Sequence, residues 1–358
     1  MEVNKPKKAV VLVGGEGTRL RPLTYKTSKA MVPVLNIPFI QHVLYRLNNH
    51  NVSEIILAMG YRPDSLKNYF EKTGTLDAHL IYSIEQTPLG TAGALKNAAQ
   101  YIGEDETLFV LNGDIFTDLD LTEMFHFHRD SKGMVTIAVT AVPDPAQFGV
   151  IELDNQQRVT EFREKPSRDK VTSNLINAGV YIVESEILKR IPQGKRIMFE
   201  HDIFPQLIAD GAPVYGYSTN AYWIDMGTPE KYLQLNHDLL RGKCCLTAPV
   251  TEKIEKQCQT YPQTSITGPV VIDKDCTIGK SVQVKGPSII GSKCSIGDNA
   301  IIEESILWTK VRVGERATLK NCIITSGIEI KNKAYIENAV IGQNTNTNQP
   351  LMVKFGTG

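Results

Sequence analysis

Aliphatic residues six apart dominate the last quarter of the chain. Ile272, Ile278, Val284, Ile290, Ile296 and Ile302 follow one another at that interval. After a one-residue deletion the register resumes with Leu307, Val313 and Leu319, then again with Ile324, Ile330 and Ile336. A flat strand would make every second residue aliphatic, and an α-helix, with about 3.6 residues per turn, does not repeat at six. A chain that coils through short strands does, because each inward aliphatic then stacks on its equivalent one or more coils away. The pattern predicts a parallel β-helix, left- or right-wound, over 266–358. Small residues recur two positions before or four after the aliphatic, at Cys276, Cys294, Ala300, Ala317 and Ala334. Cys276 and Cys294 are accordingly read as small core fillers rather than metal ligands.

The preceding 241 residues obey a different rule. Short apolar runs alternate with amphipathic stretches, as expected of a mixed, mainly parallel α/β sheet with helices on both faces. KAVVLVGG, SEIILAMG, HLIYSIE, TLFVLNGD and MVTIAVTAV read as strands buried on both faces. In IPFIQHVLYRLNNH, Ile40, Val43, Leu44 and Leu47 form one apolar helical stripe. The expected division is 1–241 for the first domain, 242–265 for a polar connection, and 266–358 for the repeats.

Bulk properties narrow the function. With 358 residues, 42% of them hydrophobic, the chain can bury two cores. Lys plus Arg and Asp plus Glu both total 39, so no excess positive field gathers polymeric nucleic acid or anionic lipid. MEVNKPKKAV has no apolar signal core, and no segment approaches the roughly 18 uninterrupted apolar residues of a membrane span. A soluble cytoplasmic protein without a membrane or nucleic-acid partner is expected. The six cysteines include adjacent Cys244 and Cys245 but no CxxC, and no His lies beyond His237 to complete a zinc set.

The stretch VLVGGEGTRLRPLTYKTSKAMVPV carries the candidate chemistry. Gly14, Gly15 and Gly17 break an apolar run, and Arg19, Arg21, Lys26 and Lys29 follow within a dozen residues. Glycines let backbone N–H groups approach a phosphate, and the cations add charge and directional donors. The spacing is not that of a P-loop, nor of a dinucleotide fingerprint, whose third glycine position holds Leu20. Asp114 ends TLFVLNGD and Asp225 follows AYWID. At strand ends two such carboxylates could seat Mg²⁺, although each also suits a turn, cap or salt bridge. Taken alone, Glu164 and Lys165 of REKP read equally as an exposed turn, and PLGTAGALKNAA as a helix start. His126 and His128, two apart, point to different helix faces, and Tyr222 and Trp223 read as core.

GGEGTRLRPLT followed by SKAMVPV resembles the signature of the sugar-1-phosphate nucleotidylyltransferases, the nucleotide-sugar pyrophosphorylases. The likeness continues in order through EQTPLGTAGAL, VLNGDIF, FGV, EFREKP, INAGVY and WIDMGTPEKY. The hexapeptides TIGKSV, SIGDNA and RVGERA resemble the left-handed β-helix family, and the combination is most similar to bacterial mannose-1-phosphate guanylyltransferases. The resemblance implies attack of a sugar 1-phosphate oxygen on the α-phosphorus of a nucleoside triphosphate, with pyrophosphate leaving. It implies that Arg19 and Lys29 are catalytic and that Gly14, Gly15, Gly17 and Thr18 hold the nucleotide phosphates. Gln86, Gly90 and Thr91 would meet the base, and Gly149, Glu164, Lys165 and Asn177 the sugar phosphate. Asp114 and Asp225 would bind Mg²⁺. GTP and mannose 1-phosphate giving GDP-mannose is the favoured pair. The alternatives are dTTP or UTP with glucose 1-phosphate, or a non-catalytic regulator that senses a nucleotide sugar. Val13, Ser28 and Ala30 depart from the commonest family wording without removing a charge. A β-helix acyltransferase would need a His base, and all seven His precede the repeats. The tail is therefore read as structural and as the seat of a homo-oligomer.

Overall fold

The computed structural model describes residues 6–60, 63–73, 77–245, 258–343 and 349–356. It divides into two compact units, each built from two pieces of chain: Met1–Gly15 with Val43–Trp223, and Glu16–His42 with Ile224–Gly358. Two pieces of the expected first domain, 16–42 and 224–241, thus group with the repeats. Much of the expected connection, 246–257, lies outside the described residues, as do the first five residues.

All five apolar runs form strands of one mixed sheet in the first unit. Its order is Val159–Glu164, Gly149–Leu153, Leu175–Glu184, Thr107–Asn112, Lys8–Leu12, Glu54–Met59 and His79–Ile84. Val135–Ala141 also pairs with Leu175–Glu184, and Val214–Ser218 lies beyond it. Lys8–Leu12 is parallel to both its neighbours, with Leu12 opposite Asn112 and Ala58, and Glu54–Met59 is parallel to His79–Ile84. Three strands buried on both faces account for the near-continuous Val, Ile and Leu runs there. His79–Ile84 departs from the expectation. It closes the sheet as an edge strand, and its Ile84 is 51% exposed. Ala92 and Leu95 from the helix Gly90–Asn97, and Phe199, Ile203, Phe204 and Leu207, pack with Val10, Val110, Ile137 and Tyr181 in a single core.

The second unit contains the β-helix. Ile272 lies opposite Ile290, which lies opposite Leu307, then Ile324 and Ile341. A second column runs Ile278, Ile296, Val313 and Ile330, and a third runs Ile266, Val284, Ile302, Leu319 and Ile336. Three hexads therefore make one coil. The first rung is Gln259–Thr260 against Thr277–Ile278, ahead of position 266. Cys276 and Cys294 are buried in the core, as is Cys322.

The deletion in the repeat has a physical origin at one corner. Thr267, Lys285, Glu303, Lys320 and Glu337 are in register. After the first two come Gly268–Pro269 and Gly286–Pro287. After the others a single residue, Glu304, Asn321 or Asn338, turns the corner at φ 46°, 50° and 52°. One residue in the left-handed region replaces a dipeptide, which shortens the coil without moving the aliphatic column. Ser288, Ser305 and Cys322 stack just past it, with Ser305 N donating to Ser288 Oγ (3.1 Å) and Cys322 N to Ser305 Oγ (3.0 Å).

Each column residue contributes about 1.5–3 kcal/mol of burial. Ile302→Ala, in the middle of the third column, should lower stability by about 2–5 kcal/mol in urea denaturation, because neighbouring coils cannot collapse into the cavity.

Candidate functional site

In the first unit the parallel strands end along one edge, where open α/β sheets hold ligands. Gly14 and Gly15 follow Lys8–Leu12, Asp114 follows Thr107–Asn112, and Glu85 and Gln86 follow His79–Ile84. Gly113 N donates to Leu12 O (2.9 Å), which sets Asp114 beside the glycine loop. Glu85 Oε2 accepts from Leu89 N (2.9 Å) and so fixes the turn into the helix Gly90–Asn97, while partial burial raises the Glu85 pKa. Gln86 is exposed at the head of that turn.

Gly90 has φ +75°, and a Cβ there would fall 2.6 Å from the Ile197 carbonyl oxygen. Its missing side chain thus admits the protein's own 195–199 segment, which also accepts from Ala92 N and Gly93 N at Ile197 O. The Thr91 hydroxyl faces inward. It donates to Glu200 Oε2 (2.7 Å) and accepts from Phe199 N (2.8 Å).

The expected sugar-phosphate residues form a second cluster on the same unit. Gly149 is paired with Glu164, and a Cβ at Gly149 would fall 2.7 Å from Phe162 Cζ and 2.8 Å from Glu164 Oε2. Lys165 is exposed, with Nζ 3.2 Å from Glu164 Oε1. Asn177 sits at a register break in Leu175–Glu184. Its Nδ2 donates to Tyr181 Oη (2.8 Å) and its Oδ1 accepts from Gly179 N (2.9 Å). Burial first, then the Glu200 carboxylate, push the Tyr181 phenol well above its usual value.

Glu200 was not singled out from the sequence. It is 8% exposed on a π-helical turn, Phe199–Ile203, and burial raises its carboxyl pKa while the Thr91 hydrogen bond opposes that. The signal was an acidic residue inside the apolar run IMFEHDIF. Trp223, expected as core, is half-buried, donates to Ala178 O (2.9 Å) and meets Phe148 edge-on. His128 is buried and hydrogen-bonded to Thr136 Oγ1 and Glu184 Oε1.

The second unit holds Gly17, Thr18, Arg19, Lys29 and Asp225. Gly17, at φ +66°, leads into the short turn Thr18–Leu20, and its carbonyl accepts from Thr24 Oγ1 (2.7 Å). A Cβ at Gly17 would press on the Lys29 Cβ at 3.0 Å. Arg19 is exposed and has no hydrogen-bond or ion-pair partner among the described residues. Lys29 is the opposite: 8% exposed, with Nζ 3.7 Å from Asp225 Oδ1.

Ser28 Oγ, Asn112 Oδ1 and Asp225 Oδ1 are buried without a hydrogen-bond partner among the described residues. They adjoin Lys29, lie two residues before Asp114, and belong to Asp225 itself. Buried polar atoms in folded proteins are nearly always paired, so each of these is a place where water or a ligand would complete the bonding. No group of three or more His, Cys, Asp or Glu is gathered among the described residues. A metal held at Asp114 or Asp225 would therefore draw its remaining oxygens from substrate and water.

Residues 8–242 match the family model for nucleotidyl transferases. The chain belongs to that family. Residues 253–353 match the LbH domain of EIF2B subunit epsilon, and the repeats form a left-handed parallel β-helix. Among curated relatives, the mannose-1-phosphate guanylyltransferase of Mycobacterium tuberculosis is 41% identical over 235 residues, 65% of this chain and 65% of that one. The mannose-1-phosphate guanylyltransferase catalytic subunit beta of Drosophila pseudoobscura pseudoobscura is 34% identical over 273 residues, 76% of this chain and 70% of that one. The chain thus spans about two thirds of the length of the curated relatives it matches. The crystal structure of HddC from Yersinia pseudotuberculosis is 30% identical, with a TM-score of 0.57, over 65% of this chain and 99% of that one, and HddC has also been solved complexed with GMP-PN.

One more buried group shapes this nucleotidyl transferase. His42 Nε2 donates to Val34 O (3.0 Å), below the loop that carries Lys29, and burial lowers its pKa to about 4. Between pH 6.5 and 4 the unfolded chain binds a proton at His42 that the folded chain does not, so the contribution is complete above 6.5 and is lost as pH falls. His42→Gln should remove on the order of 3 kcal/mol from the acid loss of stability over that window, read from urea midpoints at pH 7 and 4.5.

Proposed function

We propose that the protein transfers a nucleoside monophosphate from a nucleoside triphosphate to a sugar 1-phosphate and releases pyrophosphate, with GTP and mannose 1-phosphate as the pair and GDP-mannose as the product. The nucleotidyl transferase match over residues 8–242 carries this reading, and the buried atoms Ser28 Oγ, Asn112 Oδ1 and Asp225 Oδ1, without hydrogen-bond partners among the described residues, support it. The names of the relatives support the pair.

The reaction needs no covalent enzyme intermediate. The attacking phosphate is already anionic, so the obstacles are repulsion between anions, in-line alignment and charge growing on pyrophosphate. Arg19, exposed and uncommitted, stabilises the leaving pyrophosphate, and the backbone at Gly14, Gly15, Gly17 and Thr18 approaches the triphosphate. Lys29, held against Asp225, lies near the reacting phosphorus. Gln86 and the backbone at Gly90 and Thr91 contact the base. Lys165 binds the sugar phosphate, while Glu164, Asn177 and the backbone of Gly149 orient the sugar. Asp114 and Asp225 would each offer carboxylate oxygens to Mg²⁺, which would neutralise phosphate charge when bound.

We further propose a cytoplasmic homo-oligomer joined through the β-helix. No described helix is long and apolar enough to cross a membrane. Tyr335 is 63% and Met352 54% exposed on the last coil and on the strand Pro350–Lys354 paired to it. A scattering mass above the 39.7 kDa of one chain is expected across micromolar concentrations, and the monomer mass throughout would refute the assembly.

Pyrophosphate release, crossing five nucleoside triphosphates with mannose, glucose, N-acetylglucosamine and galactose 1-phosphates, tests the reaction. GTP with mannose 1-phosphate should dominate. Lys29→Met and Asp225→Asn should each lower kcat by about 100-fold or more. Binding of GDP-mannose by folded protein without turnover of any pair would replace the enzyme with a sensor.

A further inference from the structure

The loop that bears Lys29 ends in a hairpin, Pro33–Val34 against Ile37–Pro38, turned by Leu35 and Asn36 at φ 48° and 66°. Two consecutive non-glycine residues in the left-handed region are strained, and Leu35 is buried there. Something must hold them. Leu35 N donates to Asn236 Oδ1 (3.0 Å) of the helix Pro229–Leu240, and Asn36 Nδ2 donates to Ile290 O (3.3 Å) of the β-helix. Tyr232 Oη donates to Pro33 O (2.6 Å) and accepts from Trp308 Nε1 (2.9 Å). Tyr232, Asn236 and Trp308 are all buried. Burial pushes the Tyr232 phenol far above its ordinary range, so it remains a donor at working pH.

The other side of the loop rests on the same structure. A Cβ at Gly342 would fall 2.8 Å from the Pro22 Cβ, and the Lys26 ammonium is bonded to Gln343 Oε1. Ile290, Trp308, Gly342 and Gln343 lie in or just after one column, Ile290–Leu307–Ile324–Ile341. That single edge of the β-helix supports the loop both before and after Lys29.

We propose that this edge of the β-helix is a template for the catalytic loop, and that Tyr232 and Trp308 are positioning residues that set Lys29 through the Pro33 carbonyl. The inference rests on the reaction proposed above, but bracing can be read without turnover. Ile302 lies in another column, so Ile302→Ala destabilises the β-helix without touching the loop.

Tyr232→Phe removes both bonds of the phenol, and Trp308→Phe removes only the indole donation. Each is compared with Ile302→Ala, at a temperature where all are folded, by steady-state kinetics and by hydrogen exchange of the peptide spanning Lys29–Asn36. Tyr232→Phe should lower kcat by about 10-fold or more with KM for the sugar 1-phosphate within about twofold, and should speed hairpin exchange by about 10-fold. Trp308→Phe should give smaller changes in the same direction, and Ile302→Ala should leave both readouts at wild-type values. Wild-type exchange and kcat in Tyr232→Phe would overturn the proposal, as would equal losses in Ile302→Ala. Should Tyr232→Phe fail to fold, Trp308→Phe decides on the same two readouts. A wild-type protein that releases no pyrophosphate defeats the reaction, while the exchange comparison still decides the brace.

Discussion

Lys29 is buried beside the partly exposed Asp225, and its ammonium stands 3.7 Å from the carboxylate oxygen Oδ1. Removing two charges from water costs several kcal/mol per ion, and a separation this long lacks the short hydrogen bond that would offset it well. The pair therefore does not hold itself. Its geometry must come from what surrounds it: Gly17 packed on the Lys29 stem, and the hairpin after Lys29 tied to Tyr232 and Asn236. The rest of the second unit can be understood as the framework that keeps an imperfect ion pair in place.

A β-helix suits that task for a physical reason. Each coil touches only its neighbours, so a column of stacked aliphatics is stiff along its length and presents side chains at fixed intervals. The corner residues Glu304, Asn321 and Asn338 keep the interval when the dipeptide is lost. Glu304 shows how such strain is carried: its carbonyl accepts from His237 Nε2 (3.1 Å) and its carboxylate from Arg241 Nη2 (3.0 Å), both on or just after the helix that carries Tyr232. One helix thus fastens a strained corner on one side and a strained hairpin on the other.

The columns and most sheet strands were legible because their information is local. Six-residue spacing and apolar runs survive in any window of the sequence. The edge position of His79–Ile84 was not, since its run is as apolar as those of central strands and only pairing order exposes it. The grouping of 16–42 with the repeats was hidden for the same reason. Leu35 and Asn236 are 201 residues apart, and Pro33 and Tyr232 are 199 apart, so no periodicity connects them. Residue types of the candidate site stood out as ordered motifs, whereas their division between two units did not.

Glu200 illustrates what motifs omit. Its influence reaches residues far from it in sequence: it accepts from Thr91; burial first, then the Glu200 carboxylate, raise the Tyr181 phenol; and burial first, then the Glu164 carboxylate, raise Glu200 itself. A buried carboxylate and a buried phenol in one neighbourhood each favour the neutral form. A cation arriving there, such as the Lys165 ammonium at 3.2 Å from Glu164, eases the repulsion between the two carboxylates. The same physics admits a neutral hydroxyl as donor to Glu164 and disfavours another anion beside it.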